Sequence, residues 1–188
     1  MFAKAFLILM IGAIGFQDKP QAAGPLPYTE SEAYEVYSAI LPKGEDVMNK
    51  FVIISETIPE VMCLSPVEGS KADIDAAIAN YKKLNAKTRL LKRNFKIERA
   101  YELVPRARIE SIFKYANGWQ EFHEFYPRSS GYISLSAVGF NANKTIAIVG
   151  IGDFCGLNCG GEQLAVLEKK QGRWQLLKGK GSRCGWIS

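Results

Sequence analysis

The chain predicts an α+β fold: N-terminal helices packed on a C-terminal antiparallel β-meander. Three observations carry this expectation. Apolar residues recur at helical spacing in segments between residues 29 and 127. From residue 132 onward the pattern changes to short alternating or wholly apolar runs separated by turn residues. Between two of those runs lies Asp153-Phe154-Cys155-Gly156-Leu157-Asn158-Cys159-Gly160-Gly161, which has the composition of a hairpin tip.

The first segment stands apart from the fold. After Lys4 comes an apolar run over residues 5–14, too short to span a bilayer and of the length of a signal-peptide core. Small-residue cleavage sites follow at Ala13-Ile14-Gly15 and Gln21-Ala22-Ala23. Residues 1–23 are therefore expected to be a signal peptide cut between 15 and 23, and residues 24–188 a single globular domain. No later stretch is long and apolar enough to cross a membrane, so the cleaved chain is not expected to be transmembrane but secreted or periplasmic.

In the mature chain, Thr29 and Glu32 are spaced as a capping box. Ala33, Val36, Tyr37, Ile40 and Leu41 follow at helical spacing, and Pro42 with Gly44 ends the helix. Residues 51–55 read as a strand, β-branched and apolar on both faces. Ser70 opens a second helix with the stripe Ile74, Ala77, Ile78, Tyr81 and Leu84. Phe95 and Ile97 alternate with charges, which suggests a short half-exposed strand, and residues 101–104 suggest another, stopped by Pro105. Two short helices are expected over 108–115 and from Trp119 to Pro127, with Phe122, Phe125 and Tyr126 turned inward. Four consecutive antiparallel strands should then occupy 132–140, 145–151, 163–169 and 174–177.

Residues Trp119, Phe122, Tyr126-Pro127, Ser130-Gly131, Ser136, Val138-Gly139-Phe140-Asn141, Cys155-Gly156, Cys159-Gly160 and Gly172 with Trp174 resemble a group of uncharacterised exported bacterial proteins. The resemblance covers about a third of the chain. It implies an architecture and carries no mechanism.

Export changes the meaning of the four cysteines, Cys63, Cys155, Cys159 and Cys184. Disulfides are the default state of exported thiols. Directly opposed residues of a hairpin have Cα atoms about 4.5–5.5 Å apart, within the reach of a disulfide. Cys155 is therefore expected to pair with Cys159, and Cys63 with Cys184. The second bridge would close a loop of about 120 residues, worth roughly 5 kcal/mol in the chain-entropy model against about 2 kcal/mol for the short one. A splayed loop would instead let Cys155 or Cys159 meet Cys184.

The formal charge is +5. Outside the cytosol nucleic acid is not an expected partner. Anionic envelope components, lipid headgroups or acidic proteins fit a basic surface better. The residues to carry such binding are Lys87, Arg89, Lys92, Arg93 and Lys96 in the basic run 82–99, although a solvated face is the plainer reading of any charge run.

Other chemistry is less well supplied. Cys155 and Cys159 as a redox pair would want the attacking sulfur at a helix N-terminus, and the residues after Cys159 read as loop and strand. A zinc site from Cys155, Cys159, Cys184 and His123 matches no recognised spacing and needs reduced thiols. His123, the single histidine, lies between Glu121 and Glu124 and reads as a surface or boundary side chain. Asp153 and Glu162 flank the cysteine loop and offer the paired carboxylates of a secreted hydrolase, which is the alternative to a non-enzymatic binding or structural protein. The segment Lys178-Gly179-Lys180-Gly181-Ser182 lacks the upstream glycine of a phosphate loop and reads as basic tail. No catalytic residue is assigned, and neither metal nor cofactor is expected.

Mass spectrometry of the protein from its own host should find the first 15 to 23 residues missing. Non-reducing peptide mapping of the same material should find Cys155 linked to Cys159 and Cys63 to Cys184. A chain retaining Met1 in the cytoplasm would undo the export reading and the disulfides with it.

Overall fold

The computed structural model describes residues 24–41, 50–59, 69–177 and, as backbone, 183–187. The elements run β1 (Leu26–Pro27), α1 (Ser31–Ile40), β2 (Phe51–Ile54), α2 (Lys71–Asn85), β3 (Arg89–Leu90), β4 (Tyr101–Val104), α3 (Arg106–Ile112), α4 (Gly118–Phe125), β5 (Tyr132–Leu135), β6 (Gly139–Phe140), β7 (Ile146–Gly156), β8 (Cys159–Lys170), β9 (Arg173–Leu176) and β10 (Arg183–Ile187). The fold is α+β as expected, but the sheet is mixed and the helices are not all N-terminal.

The main sheet has the order β10-β8-β7-β5-β2-β4, with β6 also on β7 and β9 also on β8. The expected meander is present: β5 and β6 pair antiparallel with β7, β7 with β8, and β8 with β9. It does not stand alone. β2 inserts between β4 and β5 and runs parallel to both. Parallel pairing requires a crossover and burial on both faces. All four residues of β2 are buried, and α3 with α4 carries the chain from β4, on one side of β2, to β5 on the other. That crossover is why these two helices lie in the middle of the chain. β10 continues the sheet beyond β8, with Cys184 opposite Leu164; sequence reading placed no strand after the basic tail.

Side chains alternate across the sheet, so each strand feeds two cores. Phe51, Ile53, Ile133, Leu135, Ala147, Val149, Ile151, Ala165 and Leu167 face α1 through its Ala33, Val36 and Tyr37. On the opposite face, Val52, Ile54 and Val104 take Ile109, Ile112, Phe122 and Tyr126 of α3 and α4. Further along that face Ile146, Ile148, Leu164 and Val166 take Ile74, Ala77 and Tyr81 of α2. Helices therefore cover both faces and the sheet is the middle of three layers.

The expected strand over 132–140 is two strands, β5 and β6, because residues 136–138 leave the ladder. Ser136 keeps one backbone bond, its N–H donating to the Gly150 carbonyl at 2.9 Å, and side chains satisfy other buried backbone groups of the interruption. Asn85 brackets Ala137, its Oδ1 accepting from the Ala137 N–H at 2.8 Å and its Nδ2 donating to the Ala137 carbonyl at 2.9 Å. The Tyr28 hydroxyl accepts from the Val138 N–H at 3.0 Å. The Tyr37 hydroxyl donates to the Ser136 carbonyl at 2.7 Å, and Ser136 Oγ accepts from the Gly150 N–H at 2.7 Å.

Other local expectations shift for identifiable reasons. Glu30, not Thr29, caps α1, its carboxylate accepting from the Glu32 N–H. Glu32 is free to reach across the layers, where it accepts from Lys169 Nζ and, at 2.9 Å, from Trp174 Nε1. The third helix starts at Arg106 and ends at Ile112, and Gly118 begins α4 rather than merely ending its predecessor. Phe125 is 49 % exposed, on the flank of α4 away from Trp119 and Tyr126, with the Arg108 guanidinium 4.0 Å above its ring. The half-exposed strand at Phe95 and Ile97 is absent; the segment is irregular and Phe95 is buried edge-on against Tyr34 at 5.3 Å.

Two outcomes follow from this packing. A Cβ on Gly139 would lie 2.4 Å from the backbone nitrogen of Tyr81, so β6 and α2 approach too closely for any other residue. Gly139→Ala should cost at least about 2 kcal/mol and lower Tm by roughly 4–8 °C. Gly24→Ala, which meets nothing within 4 Å, should stay within about 0.5 kcal/mol of the parent. Equal denaturant midpoints for the two variants would contradict the close approach. The second outcome concerns Glu32. The hydrogen bond from Lys169, with that from Trp174, holds its carboxyl below the ordinary value against the opposing effect of burial. A depressed pKa stabilises the fold above the unfolded carboxyl value of about 4.3 and loses that contribution as pH falls through the folded value. Stability measured on acidification from about pH 5 should therefore fall more steeply in the parent than in Glu32→Gln. Parallel curves would show that the contact contributes nothing.

A candidate anion-binding surface

Residues 82–97 contain seven lysines and arginines and no acid. Lys82 and Lys83 lie in the last turn of α2, where cations favour the helix dipole. The chain then leaves the helix, forms the two residues of β3, and crosses α1 without regular structure. Two apolar side chains, Leu91 and Phe95, are drawn into the core beneath it. Hydrogen bonds fix the backbone between them: the Lys92 N–H donates to the Tyr34 hydroxyl at 2.7 Å and the Lys96 N–H to Ser38 Oγ at 2.9 Å. With Leu91 and Phe95 pointing in, Lys87, Lys92, Arg93 and Lys96 stand exposed on the outer side.

The five residues expected to bind anions are thus brought onto one segment but not into one pocket. Lys96 forms an ion pair with Glu35 at 3.0 Å. Arg93 lies over the Tyr101 ring at 5.7 Å. Lys87 and Lys92 have no acidic partner among the described residues. Arg89 is different: it is half-buried, its N–H donates to Thr57 Oγ1, and it lines a separate cavity at the start of α1.

Beside the coil runs a groove of about 890 Å³. The buried side chains Leu41, Phe51 and Trp174 contribute to its lining, with Lys96, Arg99 and Arg173 as cations and Glu35 and Glu98 as acids. Arg99 rests over the Phe51 ring at 4.6 Å. Trp174 and Arg173 come from the β8–β9 hairpin, far along the chain from the coil. Nothing local in the sequence marks them as neighbours of Lys96.

The remaining candidates separate rather than converge. Cys155 and Cys159 are joined by a disulfide with Cα atoms 5.1 Å apart. Their alignment is one residue off the expected one, since Gly156 opposes Cys159 and the register shifts between Phe154 and Gly156. The extra residue is a β-bulge, and it places Cys155 within reach of Cys159. Cys159 opens a strand and not a helix, so the thiol-exchange reading lacks the helix N-terminus it called for. Oxidised, these sulfurs are not thiolate ligands, and no group of three metal-binding side chains occurs among the described residues. Cys63, the side chain of Cys184, the leader 1–23 and the segment Lys178 to Ser182 lie outside the described residues.

The two carboxylates of the hydrolase alternative sit on opposite faces. Gly152 opposes Glu162 and Asp153 opposes Gly161, so alternation sends Asp153 and Glu162 to different sides of the sheet. Desolvation pushes the Asp153 carboxyl up, as a general acid requires, but Glu162 cannot flank the same bond from the other face. His123 is exposed on α4, its ring 6.2 Å from that of Trp119. Among the described residues three buried side-chain polar atoms have no hydrogen-bond partner, Arg89 Nε, Arg106 Nη2 and Ser134 Oγ, and nothing in the sequence pattern marked the last two. No helix among the described residues is long and apolar enough to cross a membrane. No family model, curated protein or solved structure matches the chain.

Proposed function

We propose that this chain is an exported binding domain without catalytic chemistry, and that its basic coil and the adjoining groove hold an anionic polymer of the cell envelope. The observation that carries the reading is the coil itself: a run of exposed cations on irregular backbone pinned from below by Leu91 and Phe95 and by the hydroxyls of Tyr34 and Ser38. Cations held in place lose less side-chain and backbone freedom on meeting a polyanion than cations on a loose loop. The groove supplies an apolar floor beside them, and the chain as a whole is basic. Export is supported by the apolar leader and by the resemblance of residues 119–174 to exported proteins. On that reading Cys63 and Cys184, the two cysteines left by the Cys155–Cys159 bridge, pair with each other.

Titration with polygalacturonate, and with neutral dextran as control, tests the function. Binding should be saturable for the acidic polymer alone and should weaken with added salt, because exposed charges are screened beyond about 8 Å at physiological ionic strength. An exposed pair is worth up to ~1 kcal/mol. Reversing Lys87, Lys92 and Lys96 together to Glu should lower affinity by about tenfold to a hundredfold with the circular dichroism spectrum unchanged. Equal binding to dextran, or full affinity in the triple variant, would defeat the proposal.

A further inference from the structure

At the start of α1, nearer its N-terminus than the groove, is a second cavity, of about 520 Å³, lined from the entry to α1, from α2 and from the turn after β6. Small-molecule clefts run about 300–1,000 Å³. Its walls are apolar where Tyr28, Leu84 and Phe140 line it. Two of its polar side chains offer donors. Asn80 accepts from the Phe140 N–H through Oδ1 at 2.9 Å, which leaves its amide hydrogens as the free function. Lys144 adds an ammonium, held 5.7 Å above the Phe140 ring.

Arg89 is the group that asks for a ligand. Its Nε is shielded from solvent and has no hydrogen-bond partner, and its guanidinium has no carboxylate among the described residues. A donor shielded from water and left without an acceptor is costly. The acid that lines the same cavity is already engaged: Glu30 pairs with Lys144 at 3.0 Å and caps α1 through the Glu32 N–H. Tyr28 supplies no counter-charge. Burial raises its phenol well above the ordinary value, so the ring stays neutral, and its hydroxyl is committed to Val138.

We propose that this cavity is a binding site for a small organic anion whose carboxylate or phosphate head is held by Arg89 and Asn80 and whose apolar body lies against Phe140 and Leu84. An ionised carboxylate accepts and never donates, and the arginine fork matches its two oxygens. The site is independent of polymer binding on the coil, since no residue lines both the cavity and the groove.

The test uses benzoate and inorganic phosphate against chloride at matched ionic strength, with the Arg89 Nε–H resonance followed by ¹H–¹⁵N NMR. That resonance is assigned by its absence in Arg89→Gln. Benzoate should shift it saturably and phosphate more weakly, since phosphate lacks the apolar body. If phosphate alone binds, the anion head is right and the organic body is overturned. Arg89→Gln should weaken benzoate at least about tenfold. Asn80→Asp serves where that variant fails to fold: it keeps the oxygen that accepts from Phe140 but exchanges the donor for a negative charge, and benzoate binding should vanish. Lys114→Gln, exposed in the turn after α3, should bind as the parent does, and so should the Lys87, Lys92, Lys96 triple variant even where polymer binding is lost. No saturable shift with either anion, or full benzoate affinity in Asn80→Asp, would overturn the site.

Discussion

The constraint on which the structure depends is the interruption at residues 136–138. A strand that leaves its ladder in the middle of a three-layer fold exposes backbone N–H and C=O groups where water cannot reach, and each left unpaired would cost on the order of 1–3 kcal/mol. Here the deficit is met by Tyr28, Tyr37 and Asn85, from partners 52 to 110 residues away. These bonds tie the segment before α1, α1 itself and the end of α2 to one point in the sheet. The interruption therefore works as a clamp, which explains why so many buried aromatic hydroxyls belong to one small region.

The same clamp places both candidate binding regions. Tyr28 and Tyr37 fix the axis of α1 over the sheet, and Tyr34 between them presents its hydroxyl to the basic coil. The small cavity is lined from the start of that helix, at Ser31, and the groove from its later turns, at Glu35, Ser38 and Ala39, so packing that serves stability also sets the geometry of the surface. The chemistry of the two regions differs. On the coil the cations are solvated and exchange partners cheaply. In the cavity the Nε of Arg89 is shielded from water without gaining an acceptor.

The cysteine hairpin contributes an architectural end to the long β7–β8 ribbon. Its bulge shifts the pairing by one residue at the tip, while the regular register behind it keeps Asp153 and Glu162 on opposite faces. A one-residue slip would bring them to the same side. Hence the paired-carboxylate reading, plausible from their positions along the chain, is removed by alternation alone.

What the sequence determined is what depends on neighbours within a turn or a strand. Helix stripes such as Ile74, Ala77 and Tyr81, the apolar runs of β2 and β7, the turn at Asn141 and the hairpin at Cys155 and Cys159 all follow from local period and turn chemistry. The basic run was equally plain, because charge is read directly from residue identity. What the tertiary structure decided is everything that joins distant segments. Parallel pairing of β2 with β4 and β5 has no local signature, since a buried strand is apolar on both faces whichever neighbour it takes. The breaking of 132–140 depended on side-chain partners that no window of sequence contains. Trp174 came to the groove, and Arg89 left the basic surface for a cavity, because the chain folds back across α1 and the hairpin closes over it. Local interactions act over a few residues and are legible there; burial and the pairing of backbone polar groups are settled only when the whole chain is assembled.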